Sequence, residues 1–207
     1  MKNSAIAYLH PGIYVMTDAA NGDGGFQMGA GNSAYSLPAS KTATTDATWA
    51  GDCVPSTCGV LIYLVNQACA ASASPKDQFS VGAGANLKVR PYISTADGTT
   101  NSPAYSSNND PYNNLLLWQD ASPVPLINCA QPPISLGGGG QIAISGTLYG
   151  PSAAVQMSGN SGGSGGSSLA VTLQFISWDL SFNGGISFEF QYQSNAFAKP
   201  TDYGLIK

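Results

Sequence analysis

Charge is scarce in this chain. Asp, Glu, Lys and Arg make up 9% of its 207 residues, and seven Lys and Arg against eleven acids leave a net charge of -4. Seven scattered cations form no basic cluster, so the electrostatic footprint of a nucleic-acid binder is missing. The one histidine, His10, precedes Pro11 near the start, and a lone histidine reads as a surface residue rather than a general base. There is no GxSxG elbow, no SxxK and no Walker loop; the GGGG at 137 to 140 lacks the Lys and Ser/Thr that handle phosphate. Clustered carboxylates of the DxDxDG kind, which calcium requires, are absent as well. No apolar run reaches the roughly 18 residues of a membrane span. The opening MKNSAIAYLHPGIYVM has one lysine and no sustained apolar stretch before Pro11, which makes it a poor export signal. These gaps lead us to expect no enzyme activity, no metal and no cofactor.

What is present is glycine, 25 residues of it, in a chain that is 43% hydrophobic. That apolar fraction with so little net charge predicts an ordered protein. The organising stretch is Ile134 to Met157, ISLGGGGQIAISGTLYGPSAAVQM. Ile134 and Leu136, and likewise Ile142 and Ile144, are spaced by two, which puts each pair on one face of a strand. Glycines at 137 to 140, 146 and 150 punctuate these pairs and suit corners that need positive backbone angles.

The same phrase recurs. Copies begin at Phe26, Phe79, Ile134, Val155 and Leu180, at intervals of 53, 55, 21 and 25 residues. The short intervals suggest one repeat each, and the long ones suggest an additional repeat inside each, with Gly59 to Leu64 and Asn114 to Trp118 as candidates. A period in the low twenties with two or three short strands predicts an all-β fold, a single-stranded β-helix or β-solenoid. We expect it to be right-handed, to carry long polar loop insertions and to form one domain over 1–207. An antiparallel sandwich or barrel is the alternative, since it also combines short strands with glycine turns.

Loops are expected over Ala34 to Gly59, Asn66 to Gln78, Pro91 to Asn114, Ala121 to Pro133 and Asn160 to Ser168. Four cysteines lie in or beside them: Cys53, Cys58, Cys69 and Cys129. An even number on a polar, weakly charged chain points to disulfides and an oxidising, extracytoplasmic compartment. A zinc site would want CxxC spacing or histidine partners. Cys53 with Cys58 closes a small loop across Pro55-Ser56, and Cys69 with Cys129 then ties longer ones; four cysteines allow two other pairings.

A carbohydrate-active or carbohydrate-binding surface is the serious functional alternative. Glycoside cleavage needs two neighbouring carboxylates, and of ten Asp and one Glu only Asp120, Asp179 and Glu189 fall in or beside strands. Trp118 shortly precedes Asp120 and Trp178 precedes Asp179, which makes Trp118, Asp120, Trp178 and Asp179 a candidate glycan surface. No spacing brings the two halves together.

The phrases PGIY, GVLIYL, LLLWQD, GGGGQIAISGTLYGPSAAVQMSGNSG and LQFISWDLSFNGGISF resemble, in this order, the C-terminal β-helical region of TadG-like proteins of tight-adherence (Tad/Flp) pilus assembly. That resemblance implies a non-enzymatic structural or adhesive module of the cell envelope, whose partners are pilus or cell-envelope proteins and surface glycans. It also implies a membrane helix and a further region ahead of this segment, and it supplies no catalytic residues. Resemblance to other β-solenoids permits a third reading, self-assembly through coil ends as in bactofilin-like polymers.

Overall fold

A computed structural model describes residues 5–16, 25–54, 57–65, 78–93, 112–120, 133–159, 169–184 and 188–190. The protein is all-β with parallel strands. Among the described residues there are twelve strands: β1 (Ile6–Leu9), β2 (Gly12–Met16), β3 (Gly25–Met28), β4 (Ser33–Ser36), β5 (Gly59–Leu64), β6 (Gln78–Val81), β7 (Asn86–Pro91), β8 (Leu115–Gln119), β9 (Ile134–Gly137), β10 (Ile142–Gly159), β11 (Leu169–Gly184) and β12 (Phe188–Phe190). One helical turn, α1 (Trp49–Asp52), lies between β4 and β5. Every pairing among the described strands is parallel, so the antiparallel sandwich does not describe this chain.

The pairings run in three ladders. In the first, β1, β4, β7, the start of β10, the start of β11 and β12 follow one another. In the second, β2, β5, β8, the middle of β10 and the middle of β11 do the same. In the third, β3, β6, β9 and the last parts of β10 and β11 pair in turn. A closed ring of four, β7–β5–β8–β10, joins the first two ladders. It arises because Arg90 and Pro91, at the end of β7, run on beside Gly59 and Val60 of β5.

The recurring phrase is the third ladder running into the first. Phe26, Phe79, Ile134, Val155 and Leu180 stand in one column of that ladder, each opposite the next. Across the corner, Leu87 faces Ile142 and Val89 faces Ile144 in the first ladder. All of these except Leu180 are buried, and Leu180 packs against the same cluster. The stacked columns therefore make one continuous core, which no single strand could bury alone.

The expectation of an additional repeat inside each long interval is overturned. β5 and β8 are not extra copies of the phrase; they are the second-ladder strands of the rungs whose third-ladder strands are β6 and β9. The added length goes into the connections at 37–58, 65–77, 92–114 and 120–133, which contain no further strand among the described residues.

Two strands escaped the sequence reading, β1 and β4. The expected loop from Ala34 actually begins after β4, whose residues Ser33, Ala34, Tyr35 and Ser36 are all buried. They are covered because the next segment folds back over the outer side of the first ladder as a cap. Trp49 donates its Nε1 proton to the Ser36 carbonyl at 3.0 Å, and the Arg90 guanidinium lies 4.6 Å above the Trp49 ring. The Tyr35 hydroxyl donates to Asp46 at 2.8 Å, and Lys88 Nζ pairs with the same carboxylate at 3.1 Å. Cys53 and Cys58 are joined in a disulfide, as expected, and both are fully buried in the cap. Cys69 and Cys129 lie outside the described residues.

Gly137 to Gly140 were expected to serve as corners through positive backbone angles. Only Gly139, at φ +100, uses that freedom. Gly138 and Gly140 are needed for close approach instead: a Cβ on Gly140 would sit 1.8 Å from the Ala85 carbonyl oxygen, and one on Gly138 2.4 Å from the Gly159 Cα.

Candidate functional site

Alternation along a strand sends every second side chain outward, and on the second ladder the outward column is aromatic. Tyr63 stands opposite Trp118, Trp118 opposite Tyr149, and Tyr149 opposite Ile176. Parallel pairing stacks equivalent positions at a spacing of ~4.8 Å, which is the separation at which rings lie face against face. Trp118 and Tyr149 do so, with centroids 4.5 Å apart and 26° between planes, while Tyr112 meets Trp118 edge-on at 5.9 Å. Leu61, Tyr92 and Leu115 form a small second core beneath them.

The chain leaves and re-enters the sheet at this point. The Tyr92 amide donates to the Leu115 carbonyl at 2.9 Å, the Asn114 amide returns to the Tyr92 carbonyl at 2.8 Å, and the Thr147 amide donates to the Asn114 carbonyl at 2.7 Å. Asn114 adopts φ +63, a left-handed conformation that its short polar side chain tolerates.

Asp120 completes the cluster. The Tyr63 hydroxyl lies 2.9 and 3.0 Å from its two carboxylate oxygens, and Trp118 Nε1 donates to Oδ1 at 3.2 Å. Burial pushes the Tyr63 pKa up, and the hydrogen bond to Asp120 pushes it further, to about 12.

Trp178 differs from Trp118. It is 58% exposed. It lies at the bulge where the β10–β11 register jumps, between Ser177 opposite Gly150 and Asp179 opposite Ala154. Asp120 directly follows β8, Pro151 directly follows Gly150 of β10, and Trp178 directly follows Ser177, the partner of Gly150 on β11. The corner between second and third ladders thus carries Asp120, Pro151 and Trp178 on successive rungs. Asp179 is exposed, and its Oδ1 accepts the Leu180 amide at 2.8 Å.

The four residues expected to form a glycan surface therefore divide. Trp118 and Asp120 belong to a partly buried network with Tyr63, Tyr112 and Tyr149, while Trp178 and Asp179 stand open beyond β10. Asp120 follows β8 and Asp179 lies on β11, with β10 between the two strands. The Glu189 side chain lies outside the described residues. His10 places Nδ1 3.3 Å from the Pro38 carbonyl and is exposed. Among the described residues no group of three or more His, Cys, Asp and Glu is placed to hold a metal, and no helix is long and apolar enough to cross a membrane.

Tyr63 and Tyr149 went unnoticed in the sequence. Their spacings from Trp118, 55 and 31 residues, differ because the connections between rungs differ in length, so no constant period exposes the column. Compared with protein-family models, curated proteins and solved structures, the chain matches none.

Proposed function

We propose that this chain is a non-enzymatic, extracytoplasmic scaffold: a single β-solenoid, each rung of which contributes one strand to each of the three ladders. The observation that carries this reading is the sequence-ordered parallel pairing of all three ladders around one apolar core. A right-handed coil is the sense that parallel strand connections take. The buried Cys53–Cys58 bond supports an oxidising compartment, and the scarcity of charge supports a surface made for contact rather than for acid–base work. The phrase-level resemblance to TadG-like proteins favours a role in pilus-associated assembly or adhesion.

The test is to fractionate the native host and map cysteine pairing in the recovered protein, alongside a deletion strain assayed for surface attachment. The expected result is protein in the envelope or extracellular fraction with Cys53 bonded to Cys58, and weakened attachment on deletion. Reduced cysteines in the cytosol, with attachment unchanged, would overturn the proposal.

A further inference from the structure

We propose that the corner strip of Asp120, Pro151 and Trp178, edged by Asp179, binds an uncharged, β-1,4-linked glycan lying along the ladder axis. The inference rests on the scaffold reading and names the ligand of its adhesive face.

The three tryptophans are used in different ways. Trp49 is buried in the cap with its Nε1 proton bonded and Arg90 above its ring. Trp118 is stacked on Tyr149 and bonded to Asp120. Trp178 packs on no ring among the described residues and keeps more than half its surface in solvent. An indole face left open in this way suits a partner that is flat and apolar on one side and polar at its edge. A pyranose with equatorial hydroxyls has that shape, with its C–H face to the ring and its hydroxyls to the flanks.

Asp179 follows Trp178 in sequence, and Asp120 stands at the same corner two rungs away. Asp120 already accepts hydrogen bonds from Tyr63 and Trp118, which orient it without exhausting its roughly four acceptor sites. The acceptor sites that remain can take sugar hydroxyls. Charge placement narrows the ligand further. The three cations among the described residues, Lys41, Lys88 and Arg90, are all engaged around the cap, so nothing described at the strip would neutralise an acidic sugar. The rung spacing of ~4.8 Å is close to the length of one pyranose ring. A flat β-1,4-linked chain along the axis therefore meets Asp120, Pro151 and Trp178 at successive sugars.

The experiment titrates the full chain with cellohexaose and with chitohexaose while following the three indole N–H signals by NMR, each assigned from a Trp→Phe variant. Hexalysine and a galacturonate oligomer serve as comparison probes. The expected result is that at least one neutral hexasaccharide shifts the Trp178 signal and leaves that of Trp49 in place. Trp178→Ala should weaken binding by about tenfold or more, readable directly as the change in Kd, and Asp179→Asn should weaken it by about threefold. An unchanged Trp49 signal certifies that a variant is folded; if Trp178→Ala fails that check, Trp178→Gln replaces it. No shift at millimolar sugar, equal binding by the folded variant, or hexalysine displacing the sugar at Trp178 would each overturn the proposal. Because binding is measured on purified protein, a cytosolic location would sink the scaffold reading while leaving this result standing.

Discussion

Tyr63 and Asp120, 57 residues apart in sequence, meet on adjacent rungs, the phenol 2.9 and 3.0 Å from the two carboxylate oxygens. Tyr35 and Asp46 make the equivalent contact under the cap, at 2.8 Å.

These contacts predict an alkaline limit to stability. Burial, reinforced by the neighbouring carboxylate, lifts the pKa of both Tyr63 and Tyr35 from 10.0 to about 12. A group whose pKa is higher folded than unfolded stabilises fully below the unfolded value and loses that contribution as pH rises through the folded one. Stability should therefore hold up to pH 10 and fall between 10 and about 12. Urea midpoints across that range check it, and Tyr63→Phe with Tyr35→Phe should flatten the decline.

Close approach, rather than backbone angle alone, predicts which glycines matter most. Gly31 has φ +74 and open space around a Cβ, so Gly31→Ala meets only conformational strain, about 1–2 kcal/mol. Gly140→Ala would drive a Cβ into the Ala85 backbone, which cannot swing aside like a side chain. We expect a loss of about 3 kcal/mol, at the upper end for overpacking, measured by denaturant unfolding.

Gln119 is 1% exposed, and neither polar atom of its side-chain amide meets a partner among the described residues. It stands opposite Leu64 on the inward side of the second ladder. An unpaired buried amide destabilises, and an apolar residue of similar volume removes that cost. Gln119→Leu is expected to raise stability by about 1 kcal/mol, seen as a higher urea midpoint at unchanged slope.

The cap predicts a local effect of its disulfide. Replacing Cys53 and Cys58 with Ala removes a short cross-link worth about 2 kcal/mol in the chain-entropy account. Amide exchange should accelerate around Asp46, Trp49 and Asp52, while β7 and β10 keep their protection.

Parts of this fold are legible in the chain, for identifiable reasons. The third-ladder column shows because Phe26, Phe79, Ile134, Val155 and Leu180 each begin an apolar pair just ahead of a Gly- or Asn-rich turn. The second ladder hid its membership because connections of unequal length separate β2, β5 and β8, making true neighbours look like extra repeats. β4 was invisible because Ser-Ala-Tyr-Ser has no apolar alternation; it is buried by a Ser- and Thr-rich cap that reads as loop. At the site, Trp118-Gln119-Asp120 and Trp178-Asp179 look alike as text. Tyr63, Tyr112 and Tyr149 make the first a partly buried network, and only the register brings those rings to it.

The ladder arrangement itself is the central claim, and interstrand backbone proton contacts test it most directly. NMR should show parallel-type contacts linking Phe26 to Phe79, Phe79 to Ile134, Ile134 to Val155 and Val155 to Leu180, in that order. Antiparallel contacts between strands adjacent in sequence, such as β9 with the start of β10 across Gly138 to Gly140, would contradict it.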